Sequence, residues 1–228
     1  MKINFVSLFP KYFKSFAEES IVARAIEKKI VEIKTIDIRD YSLDKFKRVD
    51  DTVYGGGAGM LLQIQPIDDA ISNIGGLKIA LSPQGQPFSQ ELAKKFTQYD
   101  EITLVCGRYE GFDERIIDHL VDYEISIGDY VLTGGELPAM VVADAVIRLL
   151  PGVINKDSLA SESFSNGLLD YPQYSRPRVY KNLEVPSVLF NGDHAKIEQW
   201  RREKQIEKTQ KNRPDLWDKY IKKENHEK

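Results

Sequence analysis

The sequence predicts an α/β fold, a mainly parallel sheet with helices on both faces, followed by a small helical module. Three observations carry that reading. Short apolar runs alternate with helix-length segments through residue 150. Two glycine-rich loops, GRYEG at 107–111 and IGDYVLTGGELP at 127–138, each come directly after one of those runs. After Pro151 the periodicity stops and the chain turns rich in Ser, Asn and Asp. The 228 residues suffice for one full α/β domain and a smaller module.

Taken in order, residues 2–8 read as the first strand. Residues 11–29 read as a helix opened by Pro10, with Phe13, Phe16, Ala17 and Ile21 near one face. Residues 31–38 alternate as a second strand, and 42–62 read as a long polar, glycine-rich loop. A helix over 66–74, a strand over 77–82, a helix over 89–96 and a buried strand over 102–106 follow. Next come a helix over 112–120, a strand over 123–127 and an apolar helix over 138–150 that Pro151 ends. Residues 155–169 lack a period and read as a linker or functional lid between a domain over 1–154 and a helical domain over 170–228. Prolines 172, 177 and 186 mark irregular chain there. Asp193 caps a helix carrying Ile197, Trp200 and Ile206, and Pro214 begins a last one with Leu216, Trp217 and Tyr220. Both tryptophans read as core residues of that module.

Composition narrows the function. Hydrophobic residues are 42% and charged residues 29%, a soluble globular balance. No apolar run approaches a membrane span, and the first ten residues turn polar too early for a signal peptide, so a cytoplasmic protein with no membrane partner is expected. Cys106 is the sole cysteine, which rules out an intrachain disulfide and a cysteine-built zinc site. It ends an apolar strand and reads as a small buried hydrophobe rather than a nucleophile. His119, His194 and His226 have no ligand spacing. The net charge of −3 argues against an obvious nucleic-acid binder. Yet residues 196–223 are dense in Lys and Arg, interleaved with Glu198, Glu203 and Glu207. A solvated helix surface and a phosphate-binding face both fit that pattern.

The two glycine loops contain neither a dinucleotide fingerprint nor a Walker loop, which weakens a nicotinamide-dependent dehydrogenase. Placed at the carboxyl ends of adjacent strands, they could form one pocket. Their polar groups are mostly backbone, which suits a purine-bearing cofactor better than a metal. Further polar features stand out. Paired carboxylates precede four glycines within five positions in the stretch from Asp50 to Met60. Arg148 ends an apolar helix as either a capping cation or an electrophile. Glu162 and Asp170 lie on or beside the lid, where carboxylates are ordinarily just solvated.

At this point the residues match a family. LSPQG at 81–85, GRYEG at 107–111, SIGDYVLTGGELPAM at 126–140, YGGGAGM at 54–60 and GLLDYPQY at 167–174 together resemble the bacterial tRNA (guanine-37-N1)-methyltransferases. The resemblance covers nearly the whole chain, with five motifs in the same order. It implies a trefoil-knotted α/β fold of the SPOUT class, a homodimer with shared active sites, and S-adenosylmethionine as methyl donor. It also implies the tRNA anticodon stem-loop, rather than DNA, as partner, and possible use of magnesium with Glu110 on the ion side and no fixed ligand set. Carried over, the donor rests on Leu81, Pro83, Gly107, Tyr109, Glu110 and on Ile127, Gly128, Asp129, Tyr130, Val131 and Leu132, with Gly134, Gly135 and Pro138 closing the pocket. Guanine N1 is a poor nucleophile until its proton leaves, so a carboxylate base and a cation near O6 are needed. Arg148 matches the family's arginine. Where the family usually has an aspartate before Ser-Phe, this chain has Glu162, which takes the base role with Asp170 as the fallback. A knotted RNA methyltransferase acting on another nucleotide and a non-catalytic RNA-binding protein remain the alternatives.

Overall fold

The computed structural model describes residues 1–226. The chain forms two compact units, Met1–Ile154 and Asn155–Lys228. In the first, β1 (Lys2–Ser7) runs into a 3-10 turn (Pro10–Phe13), then α1 (Lys14–Glu18) and α2 (Ser20–Glu27). The single helix expected over 11–29 is therefore broken. Glu19 is extended and Ser20 takes φ 56°. The corner lets Phe13 stack on Phe5 at 4.1 Å between centroids, and Phe16 meets Phe5 edge-on, while Val22 and Ala25 bury farther along.

After β2 (Glu32–Asp37), the stretch expected as loop holds an antiparallel hairpin, β3 (Asp50–Thr52) and β4 (Met60–Leu62). Its reversal takes positive φ at Gly55, Gly56, Gly57 and Gly59, a backbone that side-chain-bearing residues resist. The unit continues with α3 (Ile64–Ile71), β5 (Leu77–Pro87), α4 (Gln90–Phe96), β6 (Glu101–Cys106), α5 (Glu114–His119), β7 (Tyr123–Ser126) and α6 (Glu136–Ile147). Ser89 caps α4, its Oγ accepting from Leu92 N–H at 3.3 Å, and Asp113 caps α5 by accepting from Arg115 N–H at 3.0 Å.

The sheet has the order β2-β1-β6-β5-β7, and every pairing is parallel. The α/β class predicted from strand–helix alternation is the one observed. Side chains alternate between its faces as a strand's two-residue period requires. Ile3, Phe5, Ile79, Leu81, Ile102 and Leu104 enter one apolar cluster with α2, α4 and α6, whereas Val6, Ala80 and Val105 enter another with α3 and α5. From α6, Ala139, Val142, Ala143, Val146 and Ile147 bury at helical spacing. Strand β5 outruns its predicted end. Leu81 and Gln86 both register with Ile125 on β7, so residues 82–85 are thrown out of the sheet as a bulge.

In the second unit, residues 155–169 contain α7 (Lys156–Ala160) and a turn closed by Phe164 N–H donating to Leu168 O at 2.8 Å. A two-residue hairpin, β8 (Val179–Tyr180) with β9 (Leu183–Glu184), precedes α8 (His194–Asn212) and α9 (Pro214–His226). Asp193 caps α8 by accepting from Lys196 N–H at 3.2 Å. Trp200 tilts against Tyr174 and Trp217 stacks on Tyr220, but both tryptophans are only half-buried, not central as expected. Among the described residues of this unit, Leu168, Gln205 and Thr209 are buried. Thr209 Oγ1 donates to Gln205 O at 2.7 Å and accepts from Leu169 N–H at 2.9 Å.

Candidate cofactor cleft

The carboxyl ends of β5, β6 and β7 are neighbours because those strands are adjacent and parallel. The segments leaving them wall one cleft of about 740 Å³ including its open mouth, within the range of small-molecule sites. The β5 bulge supplies Leu81, Ser82 and Pro83. The first glycine loop supplies residues 107–111. The end of β7 and the second glycine loop supply 125–128 and 130–135, and Pro138 comes from the first turn of α6. The sequence-predicted donor residues thus meet in one place, except Asp129. That side chain is exposed and does not line the cleft.

The walls combine a dry slot with backbone donors. Leu81, Ile125 and Ile127 give apolar surface, joined by the exposed Val131 and Leu132. The N–H groups of Val131, Leu132, Thr133 and Gly134 have no acceptor among the described residues. Donors left unpaired beside an apolar slot fit the edge of an adenine ring. On the opposite side Tyr109 stands at φ 60°, a left-handed backbone that is uncommon for a non-glycine residue and accumulates at ligand sites. Glu110 also lines the wall, its carboxyl close against Gly59 of the hairpin. Its backbone N–H donates to Met60 O at 3.0 Å, so the glycine hairpin abuts the first loop. Among the described residues, no three His, Cys, Asp or Glu side chains are grouped to hold a metal ion.

A buried polar network beneath the loops went unrecognised in the sequence. Glu136, at the start of α6, is 1% exposed. Its Oε1 accepts from Ser7 Oγ at 2.6 Å and from Arg108 Nε at 3.2 Å, and its Oε2 lies 2.8 Å from Arg108 Nη2. Arg108 Nη1 donates to Thr133 O at 2.9 Å. Burial works against the Arg108 charge, but Glu136 and Tyr12 outweigh it and hold the guanidinium firmly protonated. Two glycines make the crossing possible. A Cβ on Gly134 would lie 2.3 Å from Arg108 Nε, and one on Gly135 would lie 2.7 Å from Cys106 Cα. Gly135 N–H also donates to Gly107 O at 2.8 Å. The only sequence signal for this network was a glutamate heading an otherwise apolar helix. Cys106 is fully buried, and burial, then Glu136, pushes its thiol well above the usual range, so it is no nucleophile.

Arg148 is the C-cap of α6 and does not line the cleft. Since α6 has twelve residues, Arg148 sits roughly 18 Å along the axis from the end that does. Glu162 and Asp170 belong to the second unit. Glu162 is half-buried, and its carbonyl accepts from Ser165 N–H at 3.1 Å. Asp170 braces its own turn, its two oxygens accepting from Tyr171 N–H at 2.8 Å and Gln173 Nε2 at 2.9 Å. Much of the basic charge on α8 is paired locally, as in Arg201 with Glu198 and Lys204 with Glu207. Lys208, Lys211, Lys219 and Lys222 carry no ion pair among the described residues.

Fold and cleft together define an α/β protein with an open cleft at the carboxyl edge of a parallel sheet. A sequence model described as tRNA (Guanine-1)-methyltransferase TrmD matches residues 1–219, and the chain belongs to that family. Relatives named tRNA (guanine-N(1)-)-methyltransferase span nearly all of it. The protein of Mycoplasmopsis synoviae (strain 53) is 59% identical over 95% of this chain and 96% of the relative. That of Mesomycoplasma hyopneumoniae (strain 7448) is 56% identical over 97% and 98%. That of Fusobacterium nucleatum subsp. nucleatum is 51% identical over 95% and 91%.

Proposed function

We propose that this protein is a tRNA guanine-N1 methyltransferase that uses S-adenosylmethionine to methylate guanosine-37, beside the anticodon. The observation that carries the reading is the cleft itself, where three separate family motifs meet around backbone donors without acceptors. Bound there, the donor supplies an electrophilic methyl group on a sulfonium. The residues of this chain do the rest. Leu81, Ile127 and Leu132 hold the adenine in a dry slot, and Glu162 takes the proton from guanine N1. Arg148 stabilises the negative charge that builds on O6. Asp170, beside the same lid, is the fallback for the base. Where magnesium takes part, Glu110 is the candidate carboxylate on the ion side.

In this reading the enzyme is a cytoplasmic homodimer, and each active site is assembled from both subunits. The length of α6 between the cleft and Arg148 supports it. So do Leu137 and Val141, which leave α6 apolar and half-exposed on its outer side. The crossing of Gly135 against Cys106 and Gly107 is read as part of the knotted threading of the SPOUT class. The lysines of α8 and α9 without ion pairs hold stem phosphates, which position the RNA without specifying sequence.

Incubating purified protein with S-adenosylmethionine and tRNA transcripts, then mapping methylated guanosine by mass spectrometry, tests the proposal. Methyl at N1 of guanosine-37 is expected, lost in Glu162→Gln and largely retained in Glu162→Asp. Methyl on a ribose or another base overturns the assignment. An active Glu162→Gln beside an inactive Asp170→Asn transfers the base role to Asp170.

A further inference from the structure

The Arg108–Glu136 pair lies outside the roles just assigned, yet it is the most deeply buried ion pair among the described residues, with side chains 14% and 1% exposed. A buried pair is a poor way to gain stability, because desolvation consumes most of the attraction and an apolar pair of similar size serves as well. Its geometry points to another use. The guanidinium donates from Nε to Glu136 Oε1, sets Nη2 in ion-pair contact with Oε2 and keeps Nη1 for Thr133 O, in the middle of the second glycine loop. Its flat face lies 4.5 Å from the Phe9 ring centroid, and Phe9 N–H donates to Ser7 Oγ at 2.8 Å. Ser7 in turn donates to Glu136. One side chain therefore ties the exit of β1 and the first glycine loop to the second. The absence of a Cβ at Gly134 leaves it room to pass.

We infer that Arg108 and Glu136 are positioning residues for the methyl donor, fixing the 131–134 backbone so that its unpartnered N–H groups are offered in a single conformation. The inference rests on reading the cleft as the S-adenosylmethionine site. A fixed guanidinium fork reaches the carboxylate and the carbonyl together, whereas a lysine ammonium on the same stem cannot span both. Preorganised donors add affinity by removing the ordering cost from the binding step. Donor affinity, rather than the rate at saturation, is what the pair sets.

The test uses the full chain with Arg108→Lys, Glu136→Gln and the double variant Arg108→Met with Glu136→Leu. Donor Kd is measured by calorimetry, kcat and KM with tRNA, and stability by thermal unfolding. Arg108→Lys and Glu136→Gln should raise donor Kd about tenfold or more, a change of one decade in the binding constant, with kcat at saturating donor nearly unchanged. The double variant should melt at or above the parent temperature and still bind donor weakly, separating positioning from stability. Recovery of parental donor affinity in the double variant overturns the inference, as does a loss confined to kcat. If the double variant does not fold, Arg108→Lys decides alone, since it keeps the charge opposite Glu136. A parent protein that fails to bind S-adenosylmethionine overturns the functional reading, whereas parental binding shared equally by all variants overturns only this inference.

Discussion

In the Met1–Ile154 unit the buried side chains are mostly hydrocarbon, from Ile3 on the first strand to Ile147 on the last helix, whereas the Asn155–Lys228 unit buries Leu168, Gln205 and Thr209. The first unit is held by apolar area removed from water on both faces of a sheet. The second is held by placed polar bonds and by cations over rings. Arg201 lies over Tyr171 at 4.8 Å, Arg202 over Tyr220 at 5.2 Å and Arg178 over Phe190 at 4.2 Å. The difference teaches how a chain of net charge −3 can still present a cationic surface. A unit that does not rely on a large apolar core can keep its lysines and arginines outward, at the cost of sensitivity to salt.

That contrast is broken most directly by Phe5→Ala. The ring is fully buried and stacked on Phe13, so its loss should cost roughly 3–5 kcal/mol in urea unfolding followed by circular dichroism. Both tryptophans, Trp200 and Trp217, lie in the second unit, so fluorescence reports that unit separately. Its midpoint should move less than the dichroism midpoint; equal shifts would mean that the two units unfold as one. Thr209→Val is the converse. It leaves the Leu169 N–H without an acceptor and should cost roughly 1–3 kcal/mol, seen first in fluorescence. The smallest effect is Asp113→Ala, which removes the α5 cap and should cost about 1 kcal/mol at neutral pH. The Arg115 side chain holds the Asp113 carboxyl below its usual value. The group therefore stabilises the fold fully above about pH 4, and the contribution fades as pH falls through the lowered folded value. The gap between parent and Asp113→Ala should narrow in acid, and a gap independent of pH would deny the cap its charge.

The sheet was legible because strand alternation and flanking turn residues are local signals. So were the cap at Asp193 and the apolar helix α6, whereas the Asp113 cap was not, since the helix there was expected to start at 112. The misses have non-local causes. Nothing near Glu19 announces a corner, which follows from Phe13 and Phe16 both packing on Phe5. The β5 bulge exists because Ile125, more than forty residues on, pairs with two separate points of the strand. Gly55, Gly56, Gly57 and Gly59 were expected in a loop because a hairpin tip and a loop share the same composition. At the cleft, motif matching gathered the wall residues but passed over Glu136, whose partner Ser7 is 129 residues away. Gln205 and Thr209 are polar, so no apolar periodicity marks them as buried.

The strand order also fixes a timetable for synthesis. β6 lies between β1 and β5, yet it is made after both, so neither earlier strand has its inner neighbour until residue 106 has emerged. At roughly 5–20 residues per second, the nascent chain spends roughly 1–4 seconds with two apolar strand edges open. Only then can the central strand enter, and β7 closes the far side later still. A ribosome that stalls before residue 106 therefore exposes adhesive chain, whereas one that stalls after residue 147 holds the strands and helices of the first unit complete.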